Sequence, residues 1–235
     1  MAGRGLYRAP HSYLAPDARE RVWHWDGFLS ELSMFAPRPA NRDDAGMRAF
    51  SLPCIDHRPG WLPEAVAANL FAQLRVGVPW ETHHIRMFGR TLAAPRLSCW
   101  IGDPGAVYRY CGNRFEPRPW PPAVARLREA LEAELGAGFN SVLANLYRDG
   151  RDAMGWHRDD EPELGDAPLI ASLSLGATRR FLLKAEAGGR HAIDLAAGDL
   201  LLMHGESQRR YRHALPRTAK PVGPRINLTF RRILR

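Results

Sequence analysis

The chain has 235 residues, 45% of them apolar and 25% charged, with a formal net charge of +8. That length suits one large domain or a domain with an extension, and no apolar run approaches the ~18 residues of a helical membrane span, so no membrane partner is expected. The opening Met1-Ala2-Gly3-Arg4-Gly5 lacks the apolar core of a secretory signal; Cys54, Cys99 and Cys111 show no Cys-x-x-Cys spacing, so reduced thiols, a cytoplasmic location and no zinc cluster are expected.

Residues 1–45 show weak periodicity. The run 36–44 reads as a loop, and Trp23, Trp25, Phe28 and Leu29 leave the role of this N-terminal extension open. Trp61-Leu62-Pro63 opens a helix with Pro63 in its first turn. Val66, Leu70 and Leu74, with Phe71 beside them, form its apolar face, and Gly77 ends it. A short extended run, Ile85-Arg86-Met87-Phe88, turns at Gly89. From Pro95 to Cys111 the pattern is mixed. Tyr108 and Tyr110 stand there at strand spacing and serve either ordinary packing or a stacking platform for a flat ligand. Pro121-Pro122 start a second helix, striped by Val124, Leu127, Leu131 and Leu135 and closed by Gly136.

From Phe139 onward the apolar period changes to two. Strands are expected at 142–147, 169–175, 180–184, 192–195, 199–203, 211–215 and 225–231, with glycine turns and no helices between them. Such a series predicts a mainly β fold with flanking helices, a sandwich or jelly roll with both helices on one outer face.

Two stretches carry chemistry. In Gly155-Trp156-His157-Arg158-Asp159-Asp160-Glu161, a strand would project His157 and Asp159 from one face, an imidazole and a carboxylate aimed at one centre. A second histidine would complete a 2-His-1-carboxylate face, the ligand set of non-haem Fe(II) with positions open for a co-substrate and O₂. His191, His204 and His213 are the candidates. His213 is favoured because it lies 12 residues before Arg225, and His204 comes next. The second stretch is Arg225-Ile226-Asn227-Leu228-Thr229-Phe230-Arg231, which alternates a polar, cationic face with an apolar one. Two guanidiniums on an interior face need anionic partners. A dicarboxylate such as 2-oxoglutarate offers two carboxylates, each able to accept a bidentate fork. The charge is also uneven: nine cations and no acidic residue follow Glu206, against 24 basic and 25 acidic residues in the first 206. A basic folded surface of that kind favours a polyanion such as nucleic acid, or small acidic ligands.

Asn145-x-Tyr147, His157-x-Asp159, His213 and Arg225-x-Asn227-x-Thr229-Phe230-Arg231, in that order and spacing, resemble the AlkB family of Fe(II)/2-oxoglutarate-dependent dioxygenases. Pro95-Arg96-Leu97-x-x-Trp100-x-Gly102-Asp103, the run 140–147, Asp160-Glu161-Pro162 and the run 170–179 look closest to its DNA-repair branch, as in the animal homologues. The resemblance covers about residues 60–235. It implies a double-stranded β-helix (a jelly roll, cupin-like) over 139–235, a helical and substrate-recognition part over 46–138, and a monomer. Fe(II) would sit on His157, Asp159 and His213. Asn145 and Arg231 would hold the 2-oxoglutarate carboxylate near the metal, and Tyr147, Arg225 and Asn227 the distal one. The implied activity is repair of DNA damage: hydroxylation of the N-methyl carbon of 1-methyladenine or 3-methylcytosine. It is coupled to O₂-dependent decarboxylation of 2-oxoglutarate to succinate, with formaldehyde release and ascorbate as reductant in vitro. An RNA or tRNA demethylase, or a hydroxylase of another target, is the alternative on the same core.

For the base pocket the resemblance implies Tyr108 and Tyr110 as aromatics at the flipped base, the His157 ring opposite, and Glu161 at the exocyclic amine. Aromatic faces and a carboxylate suit the cationic lesions. Phe88, in Met87-Phe88-Gly89, would fill the gap left by the flipped base. Arg179, Arg209, Arg210 and Arg212 would meet phosphates. Ile101 and Cys111 stand where the family often carries Tyr and Ser, a departure expected beside the pocket.

Overall fold

The structure is a computed structural model that describes residues 51–87, 90–110 and 113–234. The N-terminal extension, Phe88 and Cys111 lie outside the described residues.

Helix α1 (Glu64–Gly77) starts directly after Pro63, which takes the cap position rather than the first turn. Glu64 in its first turn and Arg75 in its last suit the helix dipole. Helix α2 (Pro122–Leu135) has Pro122 at its first position, and Gly136 closes it in the left-handed region at φ 62°. Both bury the stripes expected from their 3.6-residue period: Val66, Leu70 and Leu74 in one, Val124, Leu127 and Leu131 in the other.

Fifteen described strands follow one another: β1 (Ser51–Leu52), β2 (Ile55–Arg58), β3 (His84–Met87), β4 (Arg90–Ala93), β5 (Leu97–Gly102), β6 (Tyr108–Tyr110), β7 (Asn113–Phe115), β8 (Ser141–Tyr147), β9 (Met154–His157), β10 (Ile170–Gly176), β11 (Arg179–Ala185), β12 (Arg190–Leu195), β13 (Leu200–Met203), β14 (Tyr211–Leu215) and β15 (Arg225–Arg231). Seven form a large sheet in the order β1-β2-β13-β10-β15-β8-β5, and four form a smaller one, β12-β11-β14-β9. The hairpins β3–β4 and β6–β7 are separate two-stranded sheets. All seven strands expected after residue 139 are present, and the architecture is the jelly roll expected.

The two helices pack on one outer face of the large sheet, against Leu173, Leu175, Ile226, Leu228 and Phe230. Burying each of these side chains contributes ~1.5–3 kcal/mol. The turn before β13 passes so close to the start of α1 that a Cβ on Gly198 would sit 2.2 Å from the Leu62 carbonyl oxygen; the Leu62 N–H donates to the Gly198 carbonyl across the same gap. The inner face of the large sheet looks at the small sheet. Alternation thus puts Arg225, Asn227, Thr229 and Arg231 inside, and all four are buried.

Strands β1, β2, β4, β5 and β7 were not anticipated, and the strand expected at His157 stops at that residue. β1 and β2 extend the large sheet past β13. β9 is four residues long, contains Gly155, and its register against β14 slips between His213 and Leu215. That slip is a bulge, a device that re-aims side chains beside functional sites.

Candidate metal centre and its cavity

His157 ends β9, and His213 sits directly opposite it on β14. Their ring centroids are 4.1 Å apart. Asp159 lies two residues beyond β9 rather than on the strand, so the turn after the strand, not strand alternation, brings it round. One donor atom from each of the three lies within 4.8 Å of the others, the one such group among the described residues. His204 is instead 3.3 Å from Asp56 across the molecule's other edge, and His191 stands on β12, so neither joins it.

The cluster is arranged as a ligand set. His157 Nδ1 lies 2.8 Å from the Gly155 carbonyl oxygen, which fixes the proton there and turns Nε2, with its lone pair, toward Asp159. Asp159 Oδ2 accepts from Arg231 Nη2 at 2.7 Å, and the Asp159 N–H donates to Gln208 Oε1 at 2.9 Å. Burial alone would raise the Asp159 carboxyl; Arg231 and the two imidazoles outweigh it and bring it down to about 2. Burial and the neighbouring His157 bring His213 down to about 3, so it is neutral and able to bind a metal. Burial also lowers His157.

The cavity behind this cluster is lined by Asn145, Tyr147, Ser172, Arg225, Asn227, Thr229 and Arg231. Arg225 Nη2 donates to Ser174 Oγ at 2.8 Å and to Asn227 Oδ1 at 3.1 Å, and its guanidinium lies 5.4 Å from the Tyr147 ring centroid. Its Nε and Nη1 are buried without a partner, as are Nε and Nη1 of Arg231. Burial lowers Arg225 only to about 10, so it remains a cation at neutral pH. Four buried, unpaired N–H-bearing atoms on two cations are costly unless an anion meets them. A dicarboxylate spanning Arg225 and the metal cluster satisfies that demand, and the neutral imidazoles and ionised carboxylate suit Fe(II). The residues present therefore fit both groups.

A second, aromatic pocket opens from the first and shares Leu143, Met154, Asp159 and Arg231 with it. Trp100, Tyr108, Phe115, His83, His84 and Arg96 complete its wall. Tyr108 stacks on Trp100 at 4.6 Å, lies under the Arg231 guanidinium at 5.7 Å, and donates its hydroxyl to Glu161 Oε1 at 2.7 Å. Burial raises both Tyr108 and Glu161. Glu161 Oε2 is buried without a partner.

Two expectations change. Arg179 is not a phosphate contact: it is 3% exposed, and its guanidinium donates to the carbonyls of Asp149, Asp152 and Pro216, which tie three loop segments together. Ile101 does not border the pocket. It is packed in the core under the helices, because Trp100 takes the inward position on β5. Arg209, Arg210 and Arg212 are exposed, with Arg210 paired to Glu206. Phe88 and the Tyr110 side chain lie outside the described set.

Sequence reasoning missed Gln208, Arg96, Ser172 and Ser174. Arg96 Nε donates to Asn145 Oδ1 at 2.8 Å, which turns the Asn145 NH₂ away from Arg96. The two serines stand at i and i+2 in Ile170-Ala171-Ser172-Leu173-Ser174-Leu175, an alternation that marks them as inward polar positions. Gln208 and Arg96 act across 49 positions of chain, where no local pattern reports them.

Residues 55–231 match the 2OG-Fe(II) oxygenase superfamily. The chain is 37% identical over 216 residues to the human alpha-ketoglutarate-dependent dioxygenase alkB homolog 3, covering 84% of this chain and 74% of that protein. It is 40% identical over 186 residues to the bovine alkB homolog 3, covering 74% of this chain but only 64% of that protein's length. To the human DNA oxidative demethylase ALKBH2 it is 37% identical over 183 residues, 73% of this chain and 70% of that protein. The solved structure of OsALKBH1 shares the fold, with a TM-score of 0.56 at 18% identity over 78% of this chain and 98% of the other.

Proposed function

The chain belongs to the AlkB family of the 2OG-Fe(II) oxygenase superfamily, and from that membership and the geometry of its cavities we propose that it oxidatively demethylates N-alkylated nucleobases in DNA, with 1-methyladenine and 3-methylcytosine as substrates. The observation that carries the reading is the junction of the two cavities at Asp159 and Arg231. A metal-ligand cluster there meets unpaired guanidinium atoms on one side and, on the other, an aromatic pocket whose Tyr108 hydroxyl is bonded to Glu161.

His157, Asp159 and His213 would hold iron(II). Arg231 and Asn145 would orient the carboxylate of 2-oxoglutarate next to it, with Arg225, Asn227 and Tyr147 on the distal carboxylate. When bound, iron and 2-oxoglutarate supply the oxidising chemistry that places a hydroxyl on the N-methyl carbon. The chain's own residues do the rest. Trp100 and Tyr108 close one wall of the base pocket and exclude water. The free Glu161 oxygen accepts from the exocyclic amine and favours a cationic methylated base over its neutral parent. The names of the human and bovine relatives point to the same reaction class.

Among the described residues no helix is long and apolar enough to cross a membrane. The test is release of succinate and formaldehyde from paired DNA and RNA oligonucleotides of one sequence, each carrying the methylated base, with iron and ascorbate supplied. Higher turnover on DNA supports the reading, and higher turnover on RNA moves the substrate to RNA. No release above the substrate-free background on either would overturn it.

A further inference from the structure

Tyr108 and Trp100 form a stacked pair that runs from the metal-ligand cluster toward the surface. Tyr108 lines the aromatic pocket together with Asp159 and Arg231. Arg231 donates to Asp159 and lies over the Tyr108 ring at 5.7 Å. The Trp100 ring is stacked on Tyr108 at 4.6 Å with 18° between the planes. Trp100 is 4% exposed, yet it also lines a further cavity whose walls include Glu81, Arg114, Glu116 and Arg118. Those four side chains are exposed, so that cavity lies at the surface. Trp100 thus stands between an inner pocket and an outer one.

Phenols and indoles give up single electrons more readily than aliphatic side chains, and these two rings are in the contact range of aromatic pairs, so an electron passes easily between them. The phenol is set for that loss. Its hydroxyl donates to Glu161 Oε1 at 2.7 Å, so the proton that an oxidised phenol must release has an acceptor in line. The indole is set differently. Its N–H donates to the Ala106 carbonyl at 2.8 Å, which takes no proton, so an oxidised Trp100 keeps its proton and stays a cation. The centre also has reason to need an outlet. Met154 and Leu143 line both inner cavities, and a thioether is readily oxidised. An oxidant formed there with no base in the pocket meets only the protein.

We propose that Tyr108 and Trp100 are a redox relay that discharges the centre when it is oxidised with no base in the pocket, drawing electrons from a small reductant of the ascorbate class at the outer cavity. Tyr108 gives one electron to the metal-centred oxidant and its phenolic proton to Glu161, and becomes a neutral radical. Trp100 then returns an electron to Tyr108, the proton comes back from Glu161, and the indole is left as a radical cation. Ascorbate reduces the indole. Two such passages deliver two electrons, and no C–O bond forms on the protein. The two protons that ascorbic acid loses on becoming dehydroascorbate balance the oxygen atom of O₂ that leaves as water. The sum is 2-oxoglutarate, O₂ and ascorbic acid giving succinate, carbon dioxide, dehydroascorbate and water. The proposal rests on the iron and 2-oxoglutarate reading of the site and is independent of which base is the substrate.

The test mixes the full chain, loaded with Fe(II) and 2-oxoglutarate and free of nucleic acid, with O₂, and reads freeze-quenched samples by electron paramagnetic resonance. Ring-deuterated tyrosine identifies the signal. The wild-type protein should give a tyrosyl radical that ascorbate removes. Tyr108→Phe should lose it, and Glu161→Gln, which replaces the carboxylate by a much poorer proton acceptor, should weaken it. Trp100→Phe keeps a ring in place but not an easily oxidised one. Its tyrosyl signal should outlast that of the wild type, and intact-mass spectra should show more protein gaining oxygen per succinate released, with ascorbate protecting less. The same radical in Tyr108→Phe would overturn the relay. So would succinate release by the wild type with no radical, or a Trp100→Phe protein that matches the wild type in decay and in mass. Absence of succinate with or without a methylated oligonucleotide would overturn the iron site and the relay with it. Succinate release that leaves every methylated base unchanged would overturn the nucleobase reading alone.

Discussion

Asp159 is held from two sides, by Arg231 on a carboxylate oxygen and by Gln208 on its backbone N–H. Gln208 is 4% exposed and does not itself line the cavity; its Oε1 accepts from the Asp159 N–H and its Nε2 donates to Met203 Sδ at 3.7 Å, so it acts by fixing the turn that carries Asp159. Gln208→Leu should weaken Mn(II) affinity by about 10- to 100-fold, read by titration of the protein with Mn(II), while Gln208→Glu, which keeps the acceptor, should recover most of it. An unchanged Mn(II) affinity in the leucine variant refutes that role. Asp199 is a second buried carboxylate with a different task. It accepts from the Gly60 and Ala196 N–H groups and from His57. Burial works against its charge, but these donors outweigh it and hold its pKa below the ordinary carboxylate value. A depressed folded pKa stabilises the protein above the unfolded value of about 3.9 and loses that contribution as pH falls through the folded one. Asp199→Asn should therefore lower the melting temperature most near neutral pH, with the gap to wild type narrowing below about pH 4. A gap that stays constant with pH would contradict this. At this scale the sequence was most legible where residue type alone limits the chemistry: His157, Asp159 and His213 were all named from it. Gln208 was not, because a buried glutamine 49 positions from its partner leaves no local trace.

β15 shows how much a single element can declare. Its strict alternation announced one cationic and one apolar face, and the structure sets them against the cavity and the helices respectively. The two faces should fail differently. Phe230→Ala removes a ring packed between Trp120 and Phe139 and should cost ~3–5 kcal/mol of stability in denaturant melts. Arg225→Gln should instead raise KM for 2-oxoglutarate well over tenfold, since a buried charge-assisted pair is lost, with a smaller change in melting temperature. A Phe230→Ala protein as stable as wild type, or an Arg225→Gln protein with unchanged KM, would be at odds with these placements. β9 declared much less. Four residues with a glycine and a bulge carry neither period, so its strand character emerges only from pairing with β14. For the same reason the approach of Asp159 to His157 came from a turn, not from the i, i+2 rule.

For the whole molecule, net charge misled in one respect. The basic excess lies in the last 29 residues, yet Arg225 and Arg231 in that segment are buried in the cavity. The exposed cations that meet on one face come from separate stretches of chain, at positions 184, 190 and 212. Helix and strand periods made the β core and its helical cover legible from the chain. The inward polar face of the large sheet, the junction of two cavities and the meeting of those cations needed the sheets to close. The central claim is that this closure builds one centre for removing a methyl group from a nucleobase. It is tested most directly by mass spectrometry of a DNA strand holding a single 1-methyladenine, incubated with the protein, Fe(II), 2-oxoglutarate and O₂. The account predicts conversion of that base to adenine, with succinate formed in equal amount, and no conversion with Asp159→Ala. A methylated strand left intact by the wild-type protein, or demethylated as fast by Asp159→Ala, would contradict it.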